Sequence, residues 1–205
     1  MRRLLPLFLL AAGLLPAAKN LEIYFIDVEG GQATLFVAPS GESLLVDTGW
    51  PGKNHRDAER IAAAAKAAGV KKIDYLVITH YHDDHVGGVP QLAEKLPIRT
   101  FVDHGASVES GQNADVLWNA YKTFRDKGAH LQVKAGDTIP IKGLDVKVVE
   151  SAGEAIAAPL AGAGQSNAEC SSFARHDEDR SENAQSVGIL ATFADIRILD
   201  LGDLT

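Results

Sequence analysis

Thr79-His80-Tyr81-His82-Asp83-Asp84-His85 gathers three imidazoles and two carboxylates within six residues, immediately after the apolar run 73–79 (IDYLVIT). That run is bounded by polar residues and rich in β-branched side chains, so it reads as a strand and the polar cluster as the loop at its C-terminal end. His80 and His82, two residues apart at a strand end, can converge once the chain turns; Asp84 and His85 lie past the turn and can face a second ion. Imidazole and carboxylate donors suit zinc, with manganese or iron as alternatives. The competing reading is a solvated polar loop. It is the weaker one, because the whole chain has only seven histidines and buried imidazoles and carboxylates without partners are costly.

Outward from this loop, apolar runs bounded by turn residues predict strands at 21–27, 33–37, 43–47, 98–102, 131–133, 144–149, 187–193 and 196–201. The Gly30-Gly31 and Ser40-Gly41 pairs mark tight turns between the first three. Residues 57–68 (DAERIAAAAKAA) predict a helix, with Asn54 as its N-cap and Gly69 as its C-terminal glycine. A second helix is expected over 114–127, where Val116, Leu117, Ala120, Tyr121 and Phe124 recur at helical spacing and Gly128 follows. Strands mixed with helices in this order predict a layered α/β fold. The stretch 151–186 is rich in Ala, Gly, Ser, Asn and charge, including Arg175-His176-Asp177-Glu178-Asp179-Arg180, and reads as a long surface loop flanking the site.

Composition bounds the function. The 205 residues are 46% hydrophobic and 23% charged, which is enough for one folded domain and unlike a disordered chain. A net charge of −7 provides no basic footprint for stable nucleic-acid binding. Arg2 and Arg3, the apolar run 4–15, and Pro16-Ala17-Ala18 form a signal-peptide pattern, predicting a leader over 1–18, a domain over 19–205, and export to the periplasm or the extracellular space. The apolar run is shorter than the roughly 20 residues a spanning helix needs, so no membrane association is expected apart from export. The lone Cys170 excludes both an internal disulfide framework and a cysteine-based zinc site; any metal is left to His, Asp and Glu.

HYHDDH resembles the HxHxDH signature of the metallo-β-lactamase superfamily. Leu44-Leu45-Val46-Asp47-Thr48-Gly49 is similar to that family's first motif, in which an Asp ends a strand before a Gly turn, and Ile198-Leu199-Asp200-Leu201-Gly202-Asp203 to its strand-Gly-Asp segment. The three occur in the family's order. The resemblance implies a four-layer αββα sandwich whose second half is incomplete here, since family members run on past the bridging Asp to a final metal-binding His. It also implies a site for two ions, zinc foremost: His80 and His82 on one, Asp84 and His85 on the other, Asp203 between them, and Asp47 buttressing the loop. The nucleophile it implies is hydroxide at the metal centre, which Asp84 would also orient.

Many members add a Gly-His turn, absent here. Asn183 and Ser186, in Ser181-Glu182-Asn183-Ala184-Gln185-Ser186-Val187, resemble the branch related to the metal-hydrolase domain of DNA-uptake competence proteins, where a polar residue replaces that histidine. His104, ending the strand at 98–102, is either a substitute ligand or a rim histidine. The bridging Asp suits hydrolases of phosphodiesters, thioesters and lactones, and the Asn183/Ser186 segment favours a phosphodiester or related ester. A lactonase or β-lactamase-like amide hydrolase of small molecules, and a non-catalytic metal- or partner-binding module on a hydrolase scaffold, remain the alternatives.

Overall fold

Leu35, Leu45 and Leu76 point to one face of a sheet while their neighbours Phe36, Leu44, Val46 and Val77 point to the other, and all seven are fully buried. Period-two alternation with both faces apolar means that the sheet is covered on both sides. The computed structural model describes residues 20–163 and 179–205 and shows what covers it.

The central sheet has six strands in sequence order: β1 (Glu22–Phe25), β2 (Thr34–Val37), β3 (Ser43–Val46), β4 (Ile73–Val77), β5 (Ile98–Asp103) and β6 (Ala129–Gln132). The first three form an antiparallel meander, and β3 to β6 run parallel. The helices α1 (Arg56–Ala67), α2 (Asp83–Val86), α3 (Val89–Ala93) and α4 (Gln112–Arg125) lie in the connections between the parallel strands. Ile61 and Ala65 of α1, Leu92 of α3 and Tyr121 of α4 close the first face over Leu35, Leu45 and Leu76. A second sheet covers the other face. It contains β7 (Thr138–Ile139), β8 (Asp145–Ser151), β9 (Glu154–Ala155), β10 (Gly188–Phe193) and β11 (Ile196–Asp200), in the order β11-β10-β8-β7 with β9 beside β8. Val146, Val148, Ile189 and Ala191 meet Phe36, Leu44, Val77 and Val102 there. Each of these Val, Leu, Ile or Phe side chains, fully buried, contributes roughly 1.5–3 kcal/mol. The result, among the described residues, is a helix–sheet–sheet stack, three of the four layers that the resemblance implies.

Every expected strand is present, with ends shifted by a residue or two. The motif strand stops at Val77 instead of Thr79 because the Thr79 amide donates to the Asp47 carboxylate at 2.8 Å and leaves the ladder. Helix α1 starts at Arg56, but Asn54 does not cap it: Lys53, Asn54 and His55 all have positive φ (47°, 52° and 63°), and no side chain caps the helix. Its C-terminus closes as expected. Gly69 at φ 71° donates to Lys66, and Val70 donates to Ala65, which is the doubly bonded glycine stop. The short strands β7 and β9 were not evident in the pattern. The end of the expected 151–186 loop is buried rather than on the surface, with Glu182 and Ser186 both inside. The expected leader, Cys170 and most of the charged run 175–180 lie outside the described residues. Among the described residues no helix is long and apolar enough to cross a membrane.

Candidate metal centre

The site forms where the parallel strands end, the usual place for a site in such a sheet. Asp47 follows β3, the histidine loop follows β4, residues 104–109 follow β5, and Asp203 follows β11. Val187 donates to the Thr79 carbonyl at 2.8 Å, which ties the start of β10 to the same corner. Two close approaches hold the loops together. A Cβ on Gly31 would collide with the Asp84 carbonyl, and one on Gly202, at φ 56°, would lie 2.7 Å from the Thr79 Cβ.

Asp47 is fully buried and organises the loop. One oxygen accepts the Thr79 amide at 2.8 Å; the other accepts the Thr79 hydroxyl and His85 Nδ1, each at 2.7 Å. The Thr79 hydroxyl, having donated to Asp47, accepts from His80 Nδ1 at 3.0 Å. Both buried histidines therefore have Nδ1 engaged and Nε2 turned toward the cluster; a cation bound there would take the place of any proton on His85 Nε2. The rings of His80 and His85 are 4.1 Å apart, and those of His80 and His82 4.6 Å. His80 Nε2 and His82 Nδ1 are separated by 3.1 Å, while Asp203 lies 3.4 Å and Asp84 3.8 Å from His85 Nε2. Ligand atoms of His80, His85 and Asp203 all fall within 4.8 Å of one another, the spacing of donors around a cation. Burial, with the neighbouring His85 and His82, lowers the His80 imidazole to about 3, so it stays neutral and able to donate its lone pair. Burial also pushes His85 down, but its hydrogen bond to Asp47 and the charges of Asp47, Asp203 and Asp84 override this and lift it to about 9. These residues fit a divalent cation: the donors are N and O, and partners fix the tautomers of both buried imidazoles.

Of the other predicted site residues, His104 is buried beside the loop, with Nε2 3.1 Å from Glu182 and its ring 4.7 Å from that of Tyr81, and it is not among the groups whose ligand atoms converge. Asn183 and Ser186 lie on the turn before β10. The Asn183 amide oxygen and the Ser186 hydroxyl are buried without a hydrogen-bond partner among the described residues.

The profile of the metallo-beta-lactamase superfamily matches residues 27–165. The chain belongs to this superfamily. Hydroxyacylglutathione hydrolases of Rhodopseudomonas palustris are 31% and 33% identical to it over 100 residues, which is 49% of this chain and 32% of theirs. ComE operon protein 3 of Bacillus subtilis is 28% identical over 142 residues, 62% of this chain and 18% of that protein, consistent with the competence-related branch. The chain thus spans about a third or less of the length of these relatives. Among solved structures, a metallo-beta-lactamase of Cronobacter sakazakii aligns with a TM-score of 0.55 at 15% identity, covering 89% of this chain and 60% of that one. BJP-1, a subclass B3 metallo-beta-lactamase of Bradyrhizobium japonicum, aligns at 0.52 and 14%, covering 87% and 58%. Those likenesses establish the fold. The superfamily consists mostly of metal-dependent hydrolases, and its members bind divalent metals; the His/Asp cluster stands where this metallo-beta-lactamase fold gathers its strand ends.

Two residues that sequence reasoning passed over belong to the site. Glu182 is buried and accepts from the Tyr81 amide (3.1 Å), the Ser107 hydroxyl (3.0 Å) and the Val108 amide (2.7 Å), as well as facing His104. Burial raises its carboxyl, but the hydrogen bond and charge of His104 and the Val108 and Ser107 donors bring it below its ordinary value. Its signal was its place directly before Asn183. Glu109, 3.2 Å from His82 Nε2, had none; it is a single acid in a loop.

Proposed function

We propose that this chain carries the centre of an exported, zinc-dependent hydrolase acting on a phosphodiester or related ester, with His80, His82, His85 and Asp203 as ligands and Asp84 beside them. The observation that carries the reading is the convergence of His80, His85 and Asp203 ligand atoms within 4.8 Å, with Nδ1 of both buried histidines already engaged. A divalent cation held there supplies Lewis-acid polarisation of a carbonyl or phosphoryl oxygen and acidifies water. The chain's own residues do the rest. Asp47 and Thr79 fix the imidazoles, so no reorganisation is needed when charge develops. Asp84, with its carboxylate 3.8 Å from His85 Nε2 and partly exposed, is placed to accept a proton from attacking water and to orient it. The Asn183/Ser186 segment, similar to the competence-related branch that the match to ComE operon protein 3 fits, is the reason for preferring a phosphodiester-type substrate; the hydroxyacylglutathione hydrolase relatives favour an acyl thioester as the competing substrate class.

Elemental analysis of the chain beside His82→Ala tests the metal, and a screen of phosphodiester, thioester, lactone and β-lactam substrates tests the chemistry. One to two metal ions per chain, largely lost in the variant, with turnover of an ester substrate, is the expected result. A folded wild type that binds no zinc, manganese or iron refutes the reading; metal without turnover of any class identifies a binding module instead.

A further inference from the structure

His82 differs from the other two histidines of the cluster. His80 and His85 are buried and held at Nδ1 by Thr79 and Asp47. The His82 side chain is one-third exposed, and packing alone does not fix its ring. Its Nδ1 faces His80 Nε2 at 3.1 Å, and its Nε2 faces Glu109 Oε1 at 3.2 Å. Because His80 donates from Nδ1 to Thr79, its Nε2 carries no proton. If His82 carries its own proton on Nε2, where the carboxylate accepts it, two bare nitrogens face each other across 3.1 Å, and only a cation between them makes that arrangement favourable.

We infer that Glu109 is the positioning residue for His82, accepting its Nε2–H so that Nδ1 is presented to the metal, and that the buried Glu182 holds Glu109 in place. The inference rests on the metal-site reading above. The loop carrying Glu109 has little apolar anchorage here: Val108 is 52% exposed. Glu182 ties it down instead. One oxygen of its carboxylate accepts the Ser107 hydroxyl and the Val108 amide, while its own amide donates to Glu109 Oε1 at 3.1 Å. Its other oxygen accepts the amide of Tyr81, the residue between His80 and His82. One side chain thus joins the backbone between the two ligands to the loop that orients the second of them. A carboxylate accepting the far N–H of a metal-bound imidazole fixes its tautomer and ring plane and raises its basicity, and loss of such a partner weakens metal affinity about 10–100-fold.

The test measures Zn²⁺ affinity by chelator competition, and the Co²⁺ absorption spectrum, for wild type, Glu109→Ala and Glu109→Gln, with urea midpoints in chelator as the folding control. Glu109→Ala is expected to bind Zn²⁺ about 10–100-fold more weakly with an altered Co²⁺ band. Glu109→Gln, which keeps an acceptor oxygen, is expected to recover most of both, and both midpoints stay at the wild-type value. Wild-type affinity and spectrum in Glu109→Ala would overturn the role of Glu109 and leave the metal reading standing. Equal loss in Ala and Gln variants would overturn its role as acceptor, and a fallen midpoint in either would make it a structural residue. A wild type that binds neither ion overturns the metal reading first, and this inference with it.

Discussion

Replacing Glu150 with glutamine should remove a pH dependence of stability that the wild type carries. Glu150 is the last residue but one of β8, with the residue only 5% exposed and Oε2 buried without a hydrogen-bond partner among the described residues. Burial raises its carboxyl to about 7 from 4.5; the Gly153 amide opposes the rise and the charge of Glu154 adds to it. Because the folded value lies above the unfolded one, the stability linked to this group is fully present below pH 4.5 and is lost as pH rises through 7. At roughly 1.4 kcal/mol per unit the full shift corresponds to about 3 kcal/mol. The neighbouring β9 residues Glu154 and Ala155 are exposed, so solvent screens the site and about 1–2 kcal/mol is the better expectation. Glutamine keeps an acceptor for Gly153 and puts an amide NH₂ near the unpartnered oxygen position, a penalty of about 1 kcal/mol that does not vary with pH.

The quantity to read is therefore the change in the stability difference with pH. Urea unfolding by circular dichroism, in chelator so that metal loading does not enter, gives the free energy of both proteins from pH 4.5 to 8. Between those limits Glu150→Gln should gain about 1–2 kcal/mol on the wild type, most of it between pH 5 and 7.5, with equal m-values. All other titrating groups are common to the two proteins and cancel. A difference that stays flat across the range, or that falls as pH rises, would refute the assignment of a buried, uncompensated carboxyl at the end of β8.

Asp47→Ala leaves the Thr79 amide, the Thr79 hydroxyl and His85 Nδ1 without their acceptor; it should destabilise the chain by about 3–5 kcal/mol in urea titrations and strip the metal found by elemental analysis. Glu182→Gln puts a donor where the native carboxylate accepts four contacts, so it should destabilise by about 1–3 kcal/mol at pH 7. The Glu182 carboxyl is held below its ordinary 4.5, so that stabilisation is present above pH 4.5 and fades as pH falls beneath it; urea midpoints of wild type and variant should converge on acidification.

Residues that act together and lie together in the chain were legible. His80 to His85 occupy one strand-end loop, so spacing alone exposes them; the apolar runs at 33–37 and 43–47 exposed their strands in the same way. The short strands β7 and β9 have two residues each, too few to show a period. Asn54 was misread because its cap role assumed ordinary backbone, and the chain takes left-handed turns at 53–55 instead. The expectation that 151–186 lies on the surface followed its polar composition; it failed at Glu182, where four donors compensate the burial of a charge. No composition rule anticipates such compensation, because the donors come from 74 to 101 residues away.

The same distinction explains how the site is built. The proposed ligands come mainly from one loop, but the groups that orient them arrive from other strand ends: Asp47 from β3, Glu109 after β5 and Glu182 before β10. A contiguous histidine loop could collapse into many geometries. Anchoring Thr79 and His85 to Asp47, and Tyr81 to Glu182, removes that freedom at both the entry and the middle of the motif. Both anchors are buried carboxylates, whose desolvation is offset only when their donors are in place. Metal-site geometry and stability of the strand-end corner are therefore coupled. A substitution that loosens either anchor should lower the unfolding free energy and the metal affinity together, whereas one at Glu109, partly exposed and bonded to His82 at the rim, should lower affinity alone.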